Sequence, residues 1–205
     1  MDPTEAYIYL VNLLEKTNSL MGSLIVRDIN LESENKEKYR QRHRDSTSED
    51  SHRKDSEENK EIDMEVLIQE KENELYFTPD KGNVVFCSAI DCWGFTLESF
   101  SEILTKTIGF KKEIITKLLW GDYYFNKSNK KVYKTPVNSN SKPMFVEFVL
   151  NNIYKLYKLA LVEKNLEAIT KAANTLNVEI LKSEFNMFEK NPRNVLRVVY
   201  NLFDN

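Results

Sequence analysis

The sequence has little of the material from which a self-contained reaction centre is built. It holds only two histidines, His43 and His52, and only two cysteines, Cys87 and Cys92. A tetrahedral zinc site takes about four ligands at clustered spacing, and neither pair has it, so no metal is expected. With no secretory start, the two thiols of "CSAIDC" are expected to be reduced and buried rather than bridged. The phosphate-binding G-x-x-x-x-G-K-[ST], the dinucleotide G-x-G-x-x-G and the nucleophile elbow G-x-S-x-G are all missing. No histidine stands as a general base, and no catalytic residue is expected. No apolar run approaches the roughly 20 residues that span a bilayer, and "MDPTEAY" lacks a basic start and an apolar centre. A cytoplasmic, non-membrane chain is expected. Neither sign of charge dominates: 29 basic against 32 acidic residues leave a net charge of -3, so any basic footprint has to be local.

What is present is mostly helical periodicity. In "DPTEAYIYLVNLLEKTNSLMG", Asp2 caps, Pro3 suits the first turn and Glu5 completes a capping box. Ala6, Leu10, Leu13, Leu14, Thr17, Leu20 and Met21 then share one face, and Gly22 is read as the stop. From Glu32 to Glu61 the only large apolar residue is Tyr39. A segment so charged buries too little surface to offset its ordering entropy and reads as a disordered insertion, with helix resuming near "IDMEVLIQEKEN". Pro79 to Gly82 reads as a turn, and "NVVFCSA" as a strand covered on both faces, as in a parallel α/β sheet. Thr96 to Gly109 frames a helix with Leu97, Phe100, Leu104 and Ile108 on its buried side. "KKEIITKLLW" is a short helix, and "GDYYFNKSNKKVYKTP" a hairpin turning at Asn126 to Asn129. Pro143 opens a longer helix buried along Phe145, Val149, Ile153, Leu156 and Ala160. "NLEAITKAANTL" follows with Leu166, Ile169, Ala173 and Leu176. A last helix starts near Pro192 and buries Val195, Val198, Val199 and Leu202.

Two stretches invite a functional reading. "CSAIDCWGF" lies where a strand feeds a helix, the place at which open α/β sheets bind ligands. There Ser88 and Ala89 are small enough for a flat ring to approach the main chain, and Ile90 can cover its edge. Periodicity alone favours a plain strand-to-helix turn. Lys106 to Lys142 holds nine lysines against Glu113 and Asp122, interleaved with Trp120, Tyr123, Tyr124, Phe125 and Tyr133. That composition suits RNA, although lysines also serve to block edge pairing and most of the aromatics suit a core.

"GNVVFCSAIDCWGFTLESF", "LLWGDYYFNKSNKKVYK" and "KPMFVEFVLNNIYKLYKLAL" resemble, in order and spacing, the GTPase domain of the translation elongation factor 2 family. The resemblance covers nearly all of the chain outside the charged insertion. The wording of "DPTEAYIYLVNLLEKTNSLMGSL", "LYFTPDKGNVVF", "SAIDCWGF" and "LWGDYYF" is most similar to the elongation-factor-2-like GTPase of large ribosomal subunit maturation. The resemblance implies a mainly helical α/β piece, the carboxyl-terminal portion of a P-loop translational GTPase domain. Residues 1–31 would be a helix and the start of the insertion, 32–74 the disordered insertion, and 75–205 the last core strand, guanine loop, helices and hairpin. It implies GTP or GDP as ligand, with Ser88, Ala89 and Ile90 as the guanine-reading loop. A backbone amide there meets the guanine carbonyl, where adenine would present an unpaired donor.

Magnesium, the phosphate loop and the Asn-Lys-x-Asp motif belong to the intact parent, so the chain alone is expected to be inactive. The implied partners are the large ribosomal subunit, through its ribosomal RNA and protein, and a maturation cofactor of the Shwachman-Bodian-Diamond type. The implied role is release of an anti-association factor. Elongation factor 2 proper, a spliceosomal relative and a non-enzymatic RNA- or protein-binding module remain alternatives. Two positions depart from the family pattern: Asp91 stands for the usual His of elongation factor 2, and Cys92 for the expected glycine before Trp93. The second puts the loop geometry in doubt if that position needs a positive φ.

Overall fold

A computed structural model describes residues 1–44, 64–175, 180, 188 and 191–201. The chain divides into two compact units, Met1–Val11 with Thr78–Asn205, and Asn12–Phe77. Helix α1 (Pro3–Arg44) contributes its first turns to one unit and the rest to the other. It opens as its sequence predicts: Asp2 Oδ1 accepts the Thr4 and Glu5 amides at 2.7 and 3.0 Å, and Glu5 Oε2 accepts the Asp2 amide at 2.9 Å. Among the described residues no helix is long and apolar enough to cross a membrane.

The smaller unit corrects the expected helix end. α1 runs through Gly22 to Arg44. An interior glycine costs a helix only about 1 kcal/mol, and here it makes room: a Cβ on Gly22 would meet Tyr76 Oη at 2.6 Å. Asn18 binds the main chain of Phe77 both ways, donating from Nδ2 to the carbonyl at 2.8 Å and accepting the amide at 2.9 Å. Of the segment read as disordered, residues 32–44 continue α1 and α2 spans Met64–Leu75; residues 45–63 lie outside the described residues.

The larger unit is mainly helical with two small antiparallel hairpins, compatible with the expected α/β composition. A 3-10 turn (Pro79–Lys81) closes on Gly82 at φ +75°. β1 (Phe86–Ser88) and β2 (Trp93–Phe95) form the first hairpin, with Ser88 opposite Trp93 and Phe86 opposite Phe95. This replaces the expected parallel strand covered on both faces. Val84, Phe86 and Ser88 turn inward while Val85 and Cys87 face solvent, so the continuous apolar run hides an ordinary alternation. The expectation of buried thiols falls with it: Cys87 and Cys92 are free and exposed, one on the hairpin's outer face and one in its loop.

α3 (Leu97–Ile108) follows with Thr96 at its cap position and Gly109 at φ +83° as its end, burying all four predicted residues. α4 is Lys112–Leu119. Thr116 of α4 donates to the buried Ser101 hydroxyl of α3 at 2.8 Å. β3 (Tyr124–Asn126) and β4 (Lys131–Tyr133) make the second hairpin, turning one residue later than predicted.

The helix predicted from Pro143 runs as α5 (Asn151–Tyr157) between two π-helical turns, Phe145–Leu150 and Lys158–Glu163. Its predicted stripe of Phe145, Val149, Ile153, Leu156 and Ala160 is buried. α6 (Leu166–Thr175) buries Ile169 and Ala173. α7 (Arg193–Asn201) buries Val199 and Leu196, with Val198 half-buried; the predicted Leu176 and Leu202, and the Val195 side chain, lie outside the description.

Four rings hold these elements together. Phe145 is fully buried, with ring centroids at 5.6 Å from Tyr7, 4.9 Å from Phe86 and 5.1 Å from Trp120, so it joins α1, the first hairpin and the chain after α4. The Tyr7 hydroxyl donates to the Gly121 carbonyl at 3.2 Å and accepts the Gly121 amide at 3.1 Å. Burial pushes the Tyr7 phenol up to about 12, so it stays neutral and able to serve both bonds. Gly121, at φ +106°, adopts a backbone that an L side chain rarely takes, which frees its amide and carbonyl for that one hydroxyl.

Phe145→Ala removes a ring from the centre of this cluster and is expected to cost about 3–5 kcal/mol in urea unfolding. A loss below about 1 kcal/mol would show that the cluster is not the keystone of the unit.

Candidate functional site

The four residues Ala89 to Cys92 connect β1 to β2 and form the tip of the first hairpin. The three residues singled out from the sequence do not share one environment. Ser88 is half-buried at the end of β1, while Ala89 and Ile90 stand at the exposed tip. Ile90 is 83% exposed, an apolar side chain held out to solvent at the turn.

Beneath the tip lies Asp91, which the sequence marked only as a departure from the family pattern and to which it gave no role. The Asp91 side chain is only 5% exposed, and its carboxylate is surrounded by donors. Oδ1 accepts from Arg193 Nη1 at 2.6 Å; Oδ2 accepts from the Ser88 hydroxyl at 3.1 Å and from the Tyr157 hydroxyl at 2.5 Å. Tyr157 Oη in turn accepts Trp93 Nε1–H at 2.9 Å. The loop is thereby tied to α5 and α7, 66 and 102 residues away along the chain.

Burial raises the Asp91 carboxyl, but the bonds from Tyr157, Arg193 and Ser88 and the charge of Arg193 outweigh it and hold the group below its ordinary value of 3.8. Burial, reinforced by the bond to Asp91, raises the Tyr157 phenol. Both groups are fixed in one protonation state at neutral pH, so this network positions the loop and does not exchange protons. No sequence signal marks the pairing with Arg193, because a tertiary ion pair has no characteristic spacing.

The doubt over Cys92 resolves in favour of a demanding geometry. Cys92 adopts φ +55°, the left-handed region that glycine occupies without strain, and its thiol makes a long contact of 3.6 Å with the Ala89 carbonyl. The loop keeps its turn at the cost of a strained cysteine. Ser88 has its hydroxyl committed to Asp91, so what the tip offers outward is its main chain, the small Ala89 and the apolar Ile90.

Cys92→Gly is expected to stabilise the chain by about 0.5–1 kcal/mol, seen as a higher urea midpoint; a drop would mean the thiol contact outweighs the strain. Asp91→Asn is expected to cost about 1–2 kcal/mol at neutral pH, reduced by the half-exposed Arg193. Because the folded carboxyl titrates below its unfolded value, its contribution is present above about pH 4 and fades as the pH falls through the folded value. The stability curves of wild type and Asp91→Asn should therefore converge in acid; parallel curves would exclude the ion pair as their difference.

No family profile matches the chain. Curated proteins do. It is 38% identical over 180 residues to Elongation factor-like GTPase 1 of mouse, a match covering 87% of this chain and 15% of that protein. It is 33% identical over 202 residues to Ribosome assembly protein 1 of Schizosaccharomyces pombe, covering 98% of this chain and 17% of the relative. Ribosome assembly protein 1 of Saccharomyces cerevisiae is 29% identical over 210 residues, again nearly the whole of this chain and 16% of the relative. The chain thus spans about a sixth of the length of these proteins. Over the segment it shares with them, the chain is a homologue of Elongation factor-like GTPase 1 and Ribosome assembly protein 1.

Proposed function

We propose that the chain serves as the carboxyl-terminal portion of a P-loop GTPase domain acting in large ribosomal subunit assembly, and that the loop entered at Ser88 and presenting Ala89 and Ile90 contacts the guanine base. Residues 75–205 are the domain portion and 32–74 its insertion. The observation that carries this reading is Ile90, an isoleucine 83% exposed on a turn braced by a buried carboxylate. A hydrogen-bonded loop with a strained Cys92 that presents an apolar side chain and small-residue main chain fits one edge of a flat heterocycle.

Guanine nucleotide is the ligand, and the contribution of this chain is to the base. The names of the relatives support ribosome assembly as the setting, with the large subunit and a maturation cofactor of the Shwachman-Bodian-Diamond type as partners, in the cytoplasm. Release of an anti-association factor is the step to which GTP hydrolysis is coupled in this reading.

Guanosine titrated into the full chain is expected to shift the backbone amide resonances of Ala89 and Ile90 more than adenosine at the same concentration, and Ile90→Asp is expected to reduce the guanosine response. Equal responses to the two nucleosides, or a response confined to other residues, would remove the loop from base recognition.

A further inference from the structure

The second hairpin carries charge of the opposite sign to the chain. From Tyr123 to Lys142 there are five lysines and no aspartate, glutamate or arginine, in a chain of net charge -3. Lys127 is engaged by Glu147 at 2.6 Å, and Lys142 lies within the field of Asp2. Lys130, Lys131 and Lys134 are exposed and form no ion pair with any described residue.

The backbone at the turn makes this more than a solvated surface. Lys130 sits at φ +54°, where turn chemistry calls for glycine or asparagine. A lysine that guards a sheet edge belongs on a strand, whereas Lys130 is in the turn and guards none. A cation is held there against the local conformational preference. The tip is also pre-formed: Asn126 Oδ1 accepts the Ser128 amide at 2.9 Å, Asn129 Oδ1 accepts the Lys131 amide at 3.1 Å, and Asn129 Nδ2 donates to Tyr133 Oη at 2.7 Å.

The pleat then sorts the side chains. Phe125 lies opposite Val132, and Phe125 packs edge-on to the buried Phe148 at 5.6 Å, so this pair faces the core. Alternation turns Tyr124, Asn126, Lys131 and Tyr133 to the other face, where Tyr124 and Tyr133 are cross-strand neighbours, each half-buried. Two phenol rings thus share a face with the unneutralised Lys131, next to Lys130 in the turn and Lys134 just past the end of β4. Lysines neutralise phosphates, and partly exposed rings stack on unpaired bases; an acidic peptide would use the first feature and leave the second idle.

We propose that the outer face of the β3–β4 hairpin is an RNA-binding surface. Lys131 on that face, with Lys130 in the turn and Lys134 just past β4, holds the phosphate backbone, and Tyr124 or Tyr133 receives an unstacked base. The proposal is independent of the guanine loop and stands if that reading fails.

The test is fluorescence anisotropy of a labelled single-stranded fragment of large-subunit ribosomal RNA with the full chain across a salt series. Wild type is expected to bind with log K falling linearly in log salt. The triple variant Lys130→Gln, Lys131→Gln, Lys134→Gln should lose about 2 from the slope and at least about tenfold in affinity at moderate salt. The control Lys155→Gln with Lys171→Gln, exposed lysines on α5 and α6, should stay within about twofold. Lys130→Gly separates binding from folding: it should raise the thermal midpoint and still weaken RNA binding. Wild-type affinity and slope in the triple variant would overturn the proposal. Equal or tighter binding to polyglutamate would also overturn it, in favour of an acidic protein partner.

Discussion

A carboxylate withdrawn from water has to be surrounded by donors, and at Asp91 that requirement organises the loop of the first hairpin. Serine, tyrosine and arginine from three separate elements converge on its two oxygens. Each donor is placed by something else: Ser88 by the hairpin register, Tyr157 by the helix after Pro143, Arg193 by the first turn of α7. Any one displaced would leave a buried charge under-bonded, and that penalty exceeds the modest net worth of the bonds themselves. The loop above it therefore behaves as part of the folded core, although its tip is exposed.

The scaffold that delivers those donors is held by aromatic packing more than by sheet. Two three-residue hairpins have little stability of their own, and each gains it by laying rings on helices: Phe86 and Phe95 in the first, Phe125 in the second. Phe145 sits at the junction, so the same residue that starts the long helix carrying Tyr157 also backs the strand carrying Ser88. Strain appears at both hairpin turns, in Cys92 and in Lys130, where a side chain occupies a backbone suited to glycine. One turn presents an apolar tip and the other a cationic one. The two hairpins are similar in construction and opposite in chemistry.

Much of the helical architecture was legible because long amphipathic periodicity reports burial directly. The stripe from Phe145 to Ala160 and the frame from Thr96 to Gly109 were readable in this way, as was the capping box at Asp2. Gly22 was misread since glycine is a helix stop only when nothing needs its missing side chain, and Tyr76, 54 positions away, does need it. "NVVFC" was misread for a different reason. With apolar residues on both faces, the period of two vanishes, and only the return of β2 shows which face is inside.

The sequence by itself determined the helices, the local caps, the lysine-rich stretch and the likeness to elongation-factor-2-like GTPases. It also marked the tip residues, because small and apolar residues between a strand and a helix are visible as a string. Tertiary structure alone decided that the strand is a hairpin arm, that the thiols are exposed, and that Ser88 is committed inward to Asp91. The physical reason is range. Propensity and periodicity act over a few neighbours, whereas the partners of a buried carboxylate are chosen by the packing of elements some hundred residues apart.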